Sequence, residues 1–97
     1  MEIEKPALHD FTIYSKSGCI NCRKVKDLLK TKNKKWVVID CDDYLLEDKQ
    51  LFLTFIQNYS TIEWKTFPMV FHNEKFIGGI EETKDYLEKI IDFSDEF

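Results

Sequence analysis

Phe11-Thr12-Ile13-Tyr14-Ser15-Lys16-Ser17-Gly18-Cys19-Ile20-Asn21-Cys22-Arg23-Lys24-Val25 changes its hydrophobic period once, and that change decides the fold. Phe11 to Tyr14 is a β-branched and aromatic run. Ser15-Lys16-Ser17-Gly18 breaks it, so it reads as a strand feeding a loop. From Ile20 the apolar residues Val25, Leu28 and Leu29 fall at helical spacing, with Arg23, Lys24, Lys26, Asp27 and Lys30 between them. That helix ends near Thr31 to Asn33, and its first turn holds Cys19 and Cys22.

Downstream, Trp36-Val37-Val38-Ile39 is a continuous apolar run between Lys35 and Asp40 and reads as a buried strand. Leu45, Leu46, Leu51, Phe52, Phe55 and Ile56 predict a helix over about 46–58, with Asp42 and Asp43 suiting the dipole at its start. Ser60 to Thr66 reads as loop. Pro68 to His72 reads as a strand that begins at proline, where a missing N–H is tolerated. Asn73-Glu74 predicts a tight turn into Lys75-Phe76-Ile77. Gly78-Gly79 then interrupts the chain before a last amphipathic helix marked by Ile80, Tyr86, Leu87, Ile90 and Ile91. The acidic tail, Asp92 to Phe97, is expected to fray. A strand–helix–strand unit implies a right-handed parallel crossover, and the hairpin adds antiparallel pairing. The expected class is α/β: a four-stranded mixed sheet flanked by about three helices.

The 97 residues fit one domain over 1–97. Eight Phe, four Tyr and two Trp supply a core, while three Gly and two Pro exclude a collagenous or Pro/Gly-rich disordered chain. A net charge of −4 argues against a globally basic nucleic-acid binder. The apolar runs fall far short of the roughly 20 residues that cross a bilayer. Glu2 and Glu4 stand where a signal peptide would have its apolar core. The expectation is a soluble, cytoplasmic monomer with neither nucleic-acid nor membrane partners. Three cysteines without an export signal do not read as a secreted disulfide framework.

The Cys19-Ile20-Asn21-Cys22 spacing leaves three readings. A zinc half-site needs two more ligands, and only Cys41, His9 and His72 are available, none at a metal-ligand spacing. A structural pair without chemistry is the second. Thiol–disulfide chemistry is the third, and the strand-then-helix context favours it. The first turn of a helix presents free N–H groups and a partial positive charge, which stabilise a thiolate at Cys19. Cys22, one turn further in, is placed to resolve a mixed disulfide. Lys16, Arg23, Lys24 and Lys26 add positive potential around the pair.

Three segments in order, Tyr14 to Cys22, Thr66-Phe67-Pro68 and Ile77-Gly78-Gly79, together resemble the glutaredoxin family over about Phe11 to Ile91. The resemblance implies a thioredoxin-like fold and a glutathione-dependent disulfide reductase with catalytic Cys19 and Cys22. Glutathione would serve as co-substrate, with no tightly bound cofactor and no metal. Disulfide-bearing or glutathionylated proteins would be its partners. It implies a cis peptide before Pro68, with the Phe67 backbone facing outward to pair with the cysteinyl part of glutathione. The γ-glutamyl carboxylate would sit on backbone N–H groups near Gly79, Ile80 and Glu81 at the helix start. Lys16 and Lys65 match positions that meet the glycyl carboxylate. Thr66 belongs to the same loop, and Asn21 stands where the family commonly has tyrosine.

Departures from the family accompany these matches. Ile20 replaces the usual proline, Phe67 is bulkier than the common valine, and Ile80-Glu81-Glu82 replaces a small polar residue followed by Asp. Long acids there oppose anion binding, and Thr83 is a candidate helix cap. Two alternative functions remain. A carrier could share an iron–sulfur cluster through Cys19 and two glutathiones; Ile20 favours this, while Cys22 stands where the dedicated carriers have serine. A reductase served by thioredoxin reductase would carry tryptophan where Gly18 stands. Cys41 reads as a buried inert thiol, His72 as a surface residue, and Trp64 as either a substrate platform or loop packing.

Overall fold

A computed structural model describes the backbone of residues 1–95 and the side chains of residues 1–90. The elements run β1 (Phe11–Ser15), α1 (Ile20–Thr31), β2 (Trp36–Asp40), α2 (Asp42–Ser60), β3 (Met69–His72), β4 (Lys75–Gly78) and α3 (Ile80–Asp95). The strands form one sheet in the order β2-β1-β3-β4, with β1 and β2 parallel and the other neighbours antiparallel. This is the four-stranded mixed sheet with three helices that the sequence predicts.

Strand side chains alternate between two faces, and each face has its own core. Tyr14, Ile39, Met69 and Phe71 pack against Phe52 and Ile56 of α2. Phe11, Ile13 and Val70 pack on the other face against Val25 and Leu29 of α1 and Leu87 of α3. The Tyr14 ring lies 5.6 Å from Phe71 and 6.1 Å from Phe52, and its hydroxyl donates to the Glu4 carbonyl at 2.6 Å. That bond ties the N-terminal segment over the α2 face. The Asn73-Glu74 turn has φ of 50° and 70°, the paired left-handed residues that a two-residue hairpin loop needs.

Four expectations are corrected. β2 is not buried: Ile39 is, but Val37 and Val38 are exposed. A continuous apolar run suggests cover on both faces, but the strand order puts β2 at an edge. α2 starts at Asp42 and bends at Asp48, whose backbone is extended at φ −159° and ψ 85°. Asp48 Oδ1 accepts the Leu51 N–H at 3.1 Å and so caps the second segment of the helix. His72 is half-buried rather than a surface residue. Its ring stacks on Phe11 at 4.2 Å, its Nδ1 shares a hydrogen bond with the Tyr86 hydroxyl at 2.6 Å, and burial lowers its pKa. The tail expected to fray from Asp92 is helical as far as Asp95. The remainder of the tail, and the Ile91 side chain read as part of the last apolar face, lie outside the described residues.

Candidate active site

β1 ends at Ser15, and the chain must turn into α1 within four residues. Gly18 makes that turn with φ +69°. A Cβ at Gly18 would meet no atom within 4 Å, so the left-handed backbone alone calls for glycine. Cys19 follows as the N-cap of α1, and its Sγ accepts the Cys22 N–H at 3.1 Å. Cys19 and Cys22 are joined as a disulfide with their Cα atoms 5.3 Å apart. Cys19 is half-buried, whereas Cys22 is 2% exposed. The outer sulfur can therefore be reached by a partner while the inner one is shielded. In the dithiol state the helix start favours negative charge on Cys19, and no acidic residue in the first turn opposes it.

The loop that carries Cys19 is anchored from 25 residues away. Asp42, the first residue of α2, accepts the Ser17 N–H at 2.9 Å through Oδ1 and the Ser17 hydroxyl through Oδ2. These bonds to Ser17, helped by nearby Lys16, hold the Asp42 carboxyl below its ordinary value of 3.8. A depressed carboxyl stabilises the fold above its ordinary pKa, and the contribution is lost as pH falls through the folded value. The Ser17 amide resonance is therefore expected to titrate with a midpoint below 3.8. NMR of the Asp42→Ala variant should show no such transition; a persistent one would assign the titration to another group.

The Phe67–Pro68 peptide is cis, as the resemblance implies. The Phe67 ring lies nearly parallel to Phe52, 5.9 Å away with 7° between the planes, and Phe52 stacks in turn on Tyr44 at 5.7 Å. Lys16 Nζ sits over the Phe67 ring, 5.6 Å from its centroid, so the cysteine loop and the cis-proline loop meet through that pair. Among the described residues, the Phe67 N–H and C=O make no hydrogen bond. Pro68 is buried, and Thr66 is exposed beside Phe67. Lys65 pairs with Glu63 at 2.8 Å, both side chains being exposed.

Gly78 and Gly79 lead into α3. Gly78 has φ 133°, and a Cβ on it would lie 2.8 Å from Cβ and Cγ of Glu82. The Gly79 N–H donates to Glu82 Oε1 at 3.0 Å. Glu82 thus reaches back from the first turn of the helix to the cap residue, one half of a capping box. Thr83 does not cap: it is fully buried, and its hydroxyl donates to the Gly79 carbonyl at 2.8 Å. Asn21, Ile80 and Glu81 come together on a groove of about 370 Å³ between α1 and α3, bounded also by Lys24, Leu28 and Lys84. The Gly79 backbone is closely surrounded: a Cβ on it would meet Glu82 Oε1 at 3.4 Å, the Trp64 ring at 3.5 Å and the Pro68 carbonyl at 3.7 Å.

Trp64 is packing rather than a platform, since its ring stands edge-on to Phe76 at 5.4 Å. Cys41 is fully buried, its thiol donates to the Ile39 carbonyl at 3.4 Å, and burial pushes its pKa up to about 12. It is an inert thiol at neutral pH. Among the described residues no group of three or more His, Cys, Asp or Glu is arranged to hold a metal ion.

The structure thus joins Lys16 to Phe67, Pro68 to Gly79, and Asn21 to Ile80 and Glu81, while Lys65 pairs with Glu63. Sequence reading missed three supporting residues. Glu82 had a legible signal, an acid three residues beyond a helix cap. Asp42 and Phe52 had none, because both act across long separations in the chain.

A family model described as Glutaredoxin matches residues 11–77. The chain is 30% identical over 87 residues to Glutaredoxin 1 of Rickettsia conorii, covering 90% of this chain and 79% of the relative. Among solved structures it superposes on Glutaredoxin 1 from Francisella tularensis, complexed with cacodylate, with a TM-score of 0.73 at 25% identity, over 84% of this chain and 95% of the other. A buckwheat glutaredoxin–glutathione complex shares the fold with a TM-score of 0.66 at 23% identity, over 81% of this chain and 68% of the other.

Proposed function

The chain belongs to the glutaredoxin family, and on that premise we propose that glutathione is its reductant and that protein disulfides and glutathionylated proteins are its substrates. It is a thiol–disulfide oxidoreductase of thioredoxin-like fold. The Cys19 thiolate attacks one sulfur of a substrate disulfide, forming a Cys19 mixed disulfide and expelling the other sulfur as a thiolate. With a glutathionylated substrate, glutathione is left on Cys19 and the protein thiol departs. A second glutathione thiolate then attacks the glutathione sulfur, releasing oxidised glutathione and restoring Cys19. With a protein disulfide, Cys22 attacks the Cys19 sulfur instead and expels the substrate thiolate. Two glutathiones then reduce the Cys19–Cys22 disulfide.

The observation that carries the choice of glutathione is the unpaired Phe67 N–H and C=O beside the cis proline, a short strand edge that fits a cysteinyl backbone. In this reading Thr66, Phe67 and Pro68 hold the centre of the ligand. The Ile80 and Glu81 N–H groups, beside the Gly79 cap, take its γ-glutamyl carboxylate. Glu82 already accepts the Gly79 N–H, so that donor is spent within the protein. Lys16 meets the glycyl carboxylate, joined by Lys65 once it leaves Glu63. An exposed ion pair of that kind is worth about 1 kcal/mol or less, so its release is cheap. Asn21 flanks the site. One chain supplies every group needed, and the chemistry suits a reducing compartment such as the cytoplasm.

A coupled assay with a glutathione mixed disulfide tests the proposal. Turnover is expected with glutathione and glutathione reductase, and little or none with thioredoxin reductase. The opposite preference would overturn it.

A further inference from the structure

The sheet has two edges, and they differ. β4 is four residues long, and its register with β3 shifts at Val70/Phe71. β2 is five residues long and stays in register with β1 from Phe11↔Trp36 to Ser15↔Asp40. The Phe11 N–H bonds the Lys35 carbonyl at one end of this ladder, and the Cys41 N–H bonds the Ser15 carbonyl at the other. The alternation of a parallel ladder then turns the backbone groups of Val37 and Ile39 toward β1, and those of Trp36, Val38 and Asp40 outward. Val37 is 46% exposed and Val38 43%, one on each face. A regular, open, apolar edge is a template for another strand.

Edges are commonly blunted by charge, but the charges around β2 are sorted by sign. Lys32, Lys34 and Lys35 precede it, and Asp40, Asp42 and Asp43 close it or follow it. A second copy added in parallel would set like charge against like. One added antiparallel sets lysine against aspartate at both ends.

We propose that β2 is a self-association edge, with two copies pairing antiparallel about Val37 to continue the sheet from one chain into the next. In that register Val37 faces Val37 of the second copy, and Trp36 faces Val38 twice by symmetry. Lys34 precedes the strand and its N–H is held by the Leu29 carbonyl at 2.9 Å, so at each end it meets Asp40 through its side chain alone and not through the ladder. Within the strand the two members of each pair share one class, Trp36 and Val38 hydrogen-bonded and Val37 with Val37 not, which is the alternation an antiparallel ladder requires. Aromatic–β-branched and opposite-charge cross-strand pairs are the favourable ones. The contact is short and its ion pairs are exposed, so association is weak and belongs to high concentration.

Sedimentation velocity of the full chain under reducing conditions tests this. The sedimentation coefficient is expected to rise with concentration up to about 1 mM, and to rise less as salt screens the ion pairs. Asp40→Lys and Lys34→Asp should each weaken association roughly tenfold or more, because symmetry doubles each repulsion. Mixed in equal amounts, the two variants should associate again, since each carries the charges that the other lacks. Asp40 Oδ1 also accepts the Asp42 N–H at 3.0 Å, so Asp40→Lys can perturb the start of α2. Val37→Lys sets lysine against lysine at the two-fold without touching that bond, and it should abolish association. A chain that stays monomeric throughout, or association that all three variants leave unchanged, would overturn the proposal.

Discussion

Cys19→Ser is expected to abolish disulfide reduction with either glutathionylated or disulfide substrates. A serine hydroxyl is almost wholly protonated at neutral pH and forms no bond to sulfur that glutathione can later break. The half-buried Cys19 sulfur at the start of α1 is the one that an incoming disulfide can reach, so no other thiol substitutes for it. Cys22 is 2% exposed and lies inside the first turn, and Cys41 is fully buried with its pKa pushed up to about 12. Cys22→Ser provides the contrast: it should keep a substantial part of the deglutathionylation activity and lose most of the reduction of protein disulfides. Mass spectrometry of Cys22→Ser after oxidised glutathione should find a single glutathione adduct, on Cys19. Full activity of Cys19→Ser, or an adduct only on Cys41, would remove Cys19 as the nucleophile.

Phe52→Ala should cost about 3–5 kcal/mol, the range for removing a buried aromatic ring and leaving a cavity. That is a large share of the roughly 5–15 kcal/mol that holds a domain folded. Phe52 is fully buried, and its ring touches Tyr14 of the sheet, Tyr44 at the start of α2 and Phe67 beside the cis proline. The urea midpoint is expected to fall by at least about 1 M. Leu46→Ala on the same helix, at a position 84% exposed, should stay within about 0.5 kcal/mol of the native chain. Equal losses from the two substitutions would show that Phe52 is not a keystone of the α2 face. Because Phe67 rests on Phe52, the same variant is expected to raise KM for a glutathionylated substrate while the chain is still folded.

Much of the site was legible because its residues act locally. A strand that breaks at Ser15 and a helix that begins at Ile20 leave Cys19 at a helix start whatever the rest of the chain does. The C-x-x-C spacing then places Cys22 one turn inward, where it is found buried. The left-handed Asn73-Glu74 turn and the Gly78-Gly79 break are likewise written in neighbouring residues. Asp42 and Ser17 were not legible as partners, and neither were Phe52 and Phe67. Each pair is brought together only when α2 folds back over the sheet, and no spacing rule spans that distance. Thr83 and Glu82 show a subtler limit. Both lie in the first turn of α3, and the choice of cap fell to Glu82 because Gly78 leaves room for its side chain to double back.

The sequence by itself determined the order of elements, the chemistry of Cys19 and Cys22, and the class of fold, because hydrophobic period and turn residues are properties of short stretches. Tertiary structure alone decided which strand lies at the edge. Trp36-Val37-Val38-Ile39 has the composition of a buried strand, and only the order β2-β1-β3-β4 shows that one side of its backbone faces solvent. Apolar residues record that burial is favourable, but cover depends on which elements end up beside them, and that is set by the packing of the whole chain.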